Sequence, residues 1–371
     1  MPELFSDRIK DFEWDTVRDA IFQKKASDVE RALGHAGHGT PEDFMALISP
    51  AAQPYLEEMA QISYGLTRKR FGNVLQLYIP LYLSNECTNQ CTYCGFSMEN
   101  KIPRKTLTPQ EIANEVRVIQ TMGYEHVLLV TGEAPGQVGM DYFRNVFAQL
   151  NNDFAQISLE VQPLAQAEYE ELIGLGLHAV MVYQETYHRK NYGKYHLKGK
   201  KSLYDFRLET PDRLGQAGIR KTGIGCLLGL EEWRTDSFFT ALHLDYLQKK
   251  YWRTRYSVSF PRMRPHAGSF RPEVHLSDAE FVQLLCAWRI YNEDVELSLS
   301  TREEPAFRNH LLKLGVTTLS AGSRTDPGGY AGEESLEQFE IGDERTPAEM
   351  ADVIRSQGFE VVWKDWDKVL G

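Results

Sequence analysis

Short runs of β-branched and apolar residues recur along the chain at 75–84, 126–131, 157–162, 179–184, 221–226, 256–260, 295–300 and 316–320, and these read as strands. Seven helical segments fit between them. Several carry start signals: Thr108, Pro109 and Glu111 supply an N-cap, a first-turn proline and an acid at N3, and Ser277 with Glu280 repeats the capping box. Eight alternating units predict an α/β fold, a (β/α)8 barrel of the TIM type. A doubly wound open sheet would carry a glycine-rich turn after its first strand, where this chain has cysteines. Residues 1–70 read as an N-terminal helical extension, in which Thr40 and Pro41 open one long amphipathic segment running to about Arg70. The barrel takes 71–324. Residues 325–371 form a C-terminal loop, helix and tail: a surface loop over 325–345 bearing Glu333, Glu334, Glu337, Glu340, Asp343 and Glu344, a helix from Pro347, and a docked tail over 361–371.

Composition narrows the setting. At 371 residues, 42% hydrophobic and 11% aromatic, the chain can bury a large core. No stretch approaches the roughly 20 apolar residues of a membrane span, and the first residues lack the apolar run of a signal peptide. Five cysteines are too few and too oddly numbered for a disulfide framework. A cytoplasmic protein away from membranes is expected. The net charge of −11 argues against a nucleic-acid partner, and the basic stretch 194–201 reads as a solvated loop.

The chemistry begins at Cys87, Cys91 and Cys94, spaced C-x-x-x-C-x-x-C directly after the first strand. Three thiolates at that spacing can hold three corners of an iron–sulfur cube, and no fourth cysteine lies near. Zinc is the competing reading, but it prefers four closed ligands, usually in two separated pairs. Other strand ends are polar: Thr131-Gly132-Glu133, Glu160 and Gln162, Gln184-Glu185-Thr186, Arg262 and Arg264, Thr301-Arg302, and Ser320. A barrel places its active site at those ends. Arg302 stands out because a buried guanidinium pairs best with a carboxylate, which a free amino acid provides; pairing with Glu303 or Glu304 is the bland alternative. Gly223 and Gly225 would let the backbone approach a ligand closely. Cys226 and Cys286 read as buried packing.

The segment Cys-Thr-Asn-Gln-Cys-Thr-Tyr-Cys resembles the signature of the radical S-adenosylmethionine superfamily. That resemblance implies a [4Fe–4S] cluster on the three cysteines, with the amino and carboxylate groups of S-adenosylmethionine on the fourth iron. It assigns Tyr93 to the adenine, Gly132 and Glu133 to the methionine ammonium, Glu160 to ribose hydroxyls or the same ammonium, and Glu185 with Arg207 to the Glu-Thr and arginine elements, of which the arginine meets the cofactor carboxylate. An ion pair with a neighbouring cation is the alternative for Glu160, and one with Glu209 for Arg207. Val180-Met-Val-Tyr-Gln-Glu-Thr-Tyr, Ser257-Val-Ser-Phe-Pro-Arg, Leu297-Ser-Leu-Ser-Thr-Arg, Asp326-Pro-Gly-Gly-Tyr and further segments as far as Trp363-Lys-Asp-Trp-Asp together resemble the tyrosine lyase family of bacterial thiamine thiazole synthesis.

This second resemblance implies that L-tyrosine is split at Cα–Cβ into 2-iminoacetate and p-cresol, with Arg302 and Ser320 clamping its carboxylate. It also implies a thiazole synthase partner and a flavodoxin- or ferredoxin-type reductant. A lyase or other radical enzyme of metal-cofactor assembly is the alternative, and a non-catalytic zinc or cluster-binding scaffold is the alternative of a different class. The absence of cysteine after Cys286 argues against a second, C-terminal cluster. His266, Tyr82 and Tyr330 are open candidates for contacts near the substrate.

Overall fold

The computed structural model describes residues 3–272, 274–332 and 337–364. Eight parallel strands follow one another around a closed sheet: β1 Val74–Ser84, β2 His126–Thr131, β3 Gln156–Glu160, β4 Leu177–Met181, β5 Lys221–Gly225, β6 Arg255–Ser259, β7 Glu296–Leu299 and β8 Thr318–Ser320. Closure comes from β1, whose Gln76, Leu77 and Tyr78 pair with Thr318, Leu319 and Ser320 of β8. Its later residues pair with β2 on the other side. A ninth strand, β9 Glu360–Val362, extends the sheet along the first residues of β1. The strands are buried almost throughout, as expected when helices cover the outer face and side chains fill the inner one.

Each helix forms where its caps and apolar face demand. Pro109–Thr121 and Asp278–Tyr291 begin at the capping boxes read from the sequence, with Thr108 and Ser277 each accepting from the N3 amide. Asp278–Tyr291 and Trp233–Lys250 are buried on nearly all sides because the N-terminal helices lie over them. Gln283 Nε2 donates to the carbonyls of Leu47 and Ser49 at 2.9 and 2.8 Å, and Arg234 Nε to that of Ile48 at 2.9 Å. These bonds fasten the N-terminal layer to the barrel.

Two expectations fail. The segment from Thr40 is not one helix but Pro41–Leu47, a 3-10 turn over Pro50–Tyr55, and Leu56–Phe71. Pro50 and Pro54 each remove an amide donor and clash with a continuing helix. The described part of 325–345 is not wholly a surface loop either, since 325–329 and Asp343 are buried. Gly342 N and Asp343 N donate to Thr301 O at 2.9 and 3.1 Å, and Asp343 is fully buried between Arg308 and Arg345. Arg308 also donates to Ser320 O at 2.6 Å, tying the segment to the end of β8. Glu333, Glu334 and residues 365–371 lie outside the described residues.

Removing one partner of a buried pair strands the remaining charge, at a cost of about 3–5 kcal/mol. Asp343→Ala is therefore expected to lower the unfolding free energy by about that much in urea titration. A change under about 1 kcal/mol would show that the segment is not anchored this way.

Candidate active site at the barrel mouth

The cysteine loop leaves β1 at Ser84 and is held from both sides. Arg104 threads it, donating to the carbonyls of Asn85, Phe96, Ser97 and Asn100 at 2.7, 2.9, 2.7 and 3.2 Å. Gly132, at the end of β2, lies so close that a Cβ there would stand 2.2 Å from Glu86 O. That approach explains the glycine by sterics alone. Thr88 then donates its amide and hydroxyl to Glu133 O at 3.0 and 2.9 Å. Gln90 and Cys91 form a short antiparallel ribbon with Lys198 and His196.

Cys87, Cys91, Cys94, Tyr93, Gly132, Glu133, Glu160, Glu185, Arg207, Arg302 and Ser320, to which the sequence resemblances assign roles, line one cavity. The cavity opens to solvent at the barrel mouth. Gln162 and Gln184 do not line it. Gly223 and Gly225 do not open onto a ligand, because a Cβ on them would meet Met181 Sδ at 2.2 Å and Ser259 O at 1.9 Å. They serve close packing between strands. His266 and Tyr330 are also outside the cavity lining, and the Tyr330 hydroxyl donates to Pro80 O at 2.7 Å.

Four charges at the mouth neutralise one another. Arg207 donates Nη1 to Glu133 Oε1 at 2.8 Å and Nε to Tyr183 O at 2.7 Å, and its Nη2 stands 3.8 Å from Glu185 Oε1. Lys201 Nζ donates to Glu185 Oε1 at 2.7 Å. Burial works to raise the Glu185 carboxyl, but Lys201 and Arg207 hold it below the usual range. Glu185 is the one non-glycine among the described residues at positive φ, +69°. Thr186 Oγ1 and Tyr187 N fix the next residues to Asp236 Oδ1 at 3.0 and 2.7 Å, which holds this uncommon conformation in place. Glu209 is not the partner of Arg207; it accepts from Ser6 Oγ at 2.6 Å.

Two charged groups in the cavity remain without an opposite charge in contact among the described residues: Glu160 and Arg302. Glu303 and Glu304 are taken by Arg262 and Arg264. Arg302 instead lies 3.5 Å from the centroid of the Phe339 ring. Burial lowers the affinity of Arg302 for its proton. Burial, aided by the Glu185 charge, pushes the Glu160 carboxyl up to about 7 against the pull of Arg302, Lys201 and Arg207.

Sequence reading missed Asn89, Lys201, Gln338 and Phe339. Asn89 Nδ2 donates to Glu133 Oε2 at 2.8 Å while its Oδ1 accepts from Lys201 N at 3.1 Å. The signal was Gly199, which at φ +90° leaves room for Asn89 Oδ1. The basic stretch is thus not wholly a solvated loop, since Lys201 turns inward.

The five cysteines are all free thiols, and burial pushes Cys87 and Cys91 above the ordinary thiol range. Neutral buried thiols become ligands when a metal displaces their protons. Among the described residues no three His, Cys, Asp or Glu side chains converge on a single ion. Three soft thiols on one loop, all lining the same cavity, suit the irons of an iron–sulfur cluster.

A closed parallel barrel whose first strand feeds such a loop defines a radical S-adenosylmethionine enzyme, a class that uses a [4Fe–4S] cluster and S-adenosylmethionine. Residues 81–239 match the model of the radical SAM superfamily, and 259–360 that of the biotin and thiamin synthesis associated domain. Within that class the chain belongs to the 2-iminoacetate synthase family. It is 54% identical to the 2-iminoacetate synthase of Escherichia coli strain K12, covering 100% of this chain and 98% of that protein. The Salmonella typhimurium enzyme is 52% identical with the same coverage. Among solved structures, HydG, a maturase of the [FeFe]-hydrogenase, superposes with TM-score 0.89 at 29% identity over 95% of this chain and 80% of that one. Methylornithine synthase, with TM-score 0.72 at 19% identity over 90% of this chain and 97% of that one, shares the fold.

A carboxyl whose native pKa of about 7 exceeds the ordinary 4.5 keeps a proton that the unfolded chain has released between those values. The native state therefore loses stability from this group as pH rises through that window. Glu160→Gln abolishes the loss. In urea titrations of the apo protein the variant should gain on wild type at about pH 8 but not at about pH 5; an equal difference at both would contradict the assignment.

Proposed function

We propose that this protein cleaves the Cα–Cβ bond of L-tyrosine to 2-iminoacetate and p-cresol, with S-adenosylmethionine leaving as 5′-deoxyadenosine and methionine, for the thiazole moiety of thiamine. The observation that carries it is Arg302, a partly buried arginine with no carboxylate partner among the described residues, in the cavity that the cysteine trio also lines. When bound, the cluster and S-adenosylmethionine supply a 5′-deoxyadenosyl radical able to take hydrogen from tyrosine.

In this reading Cys87, Cys91 and Cys94 hold the cluster. Gly132 and Glu133 receive the methionine ammonium, with Arg207 and Asn89 steering the Glu133 carboxylate; each oxygen keeps a lone pair for a ligand. Glu185, aimed inward by its backbone, lines the cofactor site and holds Lys201 and Arg207, and Arg207 meets the cofactor carboxylate. Tyr93, whose hydroxyl is tied to His196 Nε2 at 2.7 Å, presents its ring to the adenine. Glu160 has no ion-pair partner in contact among the described residues and takes ribose hydroxyls or an ammonium. Arg302 and Ser320 clamp the tyrosine carboxylate, and Phe339 keeps the guanidinium plane in place. Fixing the amino acid at its carboxylate sets the distance from its amine to the reacting carbon, and the buried walls exclude water.

2-Iminoacetate hydrolyses readily, so a thiazole synthase that consumes it is the expected partner. A flavodoxin- or ferredoxin-type protein is the expected electron source, and the free thiols suit a cytoplasmic setting. Among the described residues no helix is long and apolar enough to cross a membrane. The likeness to HydG supports a second reading in metal-cofactor assembly, against which stand the 54% and 52% identities.

The test is an anaerobic assay of iron- and sulfide-reconstituted protein with tyrosine, S-adenosylmethionine and dithionite. Equal amounts of 5′-deoxyadenosine and p-cresol are expected, and both should vanish in Cys91→Ala. Deoxyadenosine without p-cresol would reject tyrosine as substrate.

A further inference from the structure

Gln338 occupies a junction that the proposed reaction leaves unexplained. A Cβ on Gly95 would stand 2.4 Å from Gln338 O, so the C-terminal segment is pressed against the residue that follows Cys94. The side chain donates Nε2–H to Cys94 Sγ at 3.8 Å, and its Oε1 accepts from the Tyr82 hydroxyl at 2.8 Å. Among the described residues it is the only side chain hydrogen-bonded to any of the three loop sulfurs. Backbone amides serve Cys87, as Asn89 N does at 3.5 Å from its Sγ. Gln338 N is itself anchored to Thr325 O at 3.0 Å, and the next residue carries the ring that lies over Arg302.

We propose that Gln338 is a positioning residue that acts through Cys94 to set the reduction potential of the cluster, with Tyr82 orienting its amide. The inference rests on the cluster assignment above and deepens it. An N–H aimed at a ligand sulfur spreads the negative charge that collects there, and the reduced cluster carries one charge more than the oxidised one. The donor therefore favours the reduced form. The direction of the amide is fixed because a cluster-bound sulfur can only accept, which turns Nε2 to Cys94 and leaves Oε1 to accept from the Tyr82 hydroxyl. The same short segment thus serves the cluster through Gln338 and the substrate arginine through Phe339.

The test is an anaerobic redox titration of the reconstituted protein, followed by electron paramagnetic resonance without S-adenosylmethionine. Gln338→Leu removes the donor, and Gln338→Glu keeps the shape while replacing the donor with a carboxylate. Both are expected to retain their iron and to be harder to reduce, by at least about threefold in the reduction equilibrium, or about 28 mV at 59 mV per tenfold. Tyr82→Phe, which leaves the amide in place, should shift less than either. Wild-type potentials in the iron-loaded Gln338 variants would overturn the proposal. So would loss of the cluster from both, which would make Gln338 a requirement for holding iron rather than for tuning it. A wild-type protein that takes up no [4Fe–4S] cluster would instead reject the cluster assignment, leaving the two failures distinct.

Discussion

A guanidinium taken out of water has to meet negative charge, and Arg207 meets Glu133 from the end of β2 and Glu185 from beyond β4. Lys201, arriving from the ribbon that pairs with the cysteine loop, completes a neutral set. Four chain segments converge on those charges, and moving any one of them would strand a partner in a cavity shielded from water. The mouth of the barrel is therefore fixed electrostatically as well as by packing. The cysteine loop inherits that order through Asn89, which bridges Glu133 and Lys201, and through the close passage of Gly132 against Glu86.

Because the network is balanced within itself, the groups it leaves over define what the cavity can bind. Glu160 and Arg302 face the same space with no opposite charge in contact among the described residues. A zwitterionic amino acid and a sulfonium cofactor that carries an ammonium and hydroxyls are complementary to such a pair. The buried Arg308–Asp343–Arg345 cluster stands behind Ser320 and ties the C-terminal segment to β7 and β8, which brings Gln338 and Phe339 over the cavity. Closure of the barrel mouth and the placing of Arg302 are thus parts of one arrangement.

The barrel was legible in the sequence because each strand is a contiguous apolar run and the capping boxes mark where helices begin. The cavity lining was legible where its residues follow strand ends, as Glu133 and Arg302 do, or sit on the cysteine loop after the first strand, as Cys87 does. What stayed hidden depends on contacts distant in sequence. Nothing local tells that Lys201 turns inward while Lys200 stays in water; only the approach of Asn89 across Gly199 decides it. Nor does an acidic, glycine-bearing stretch announce that Asp343 will be buried, since its partner Arg308 lies 35 positions away. Pro50 and Pro54 did carry a local signal for the break in the N-terminal layer, which the amphipathic pattern of the surrounding residues masked.

The claim on which this account rests is that Arg302 is the receptor for the carboxylate of the substrate. The most direct measurement compares 5′-deoxyadenosine formation with tyrosine and with tyramine, which lacks that carboxylate, in wild type and in Arg302→Gln. Wild type should prefer tyrosine by about a hundredfold or more in kcat/KM, as expected for losing one partner of a buried pair, and the variant should lose most of that preference. A preference of equal size in both proteins would show that the carboxylate is held elsewhere and would contradict the account.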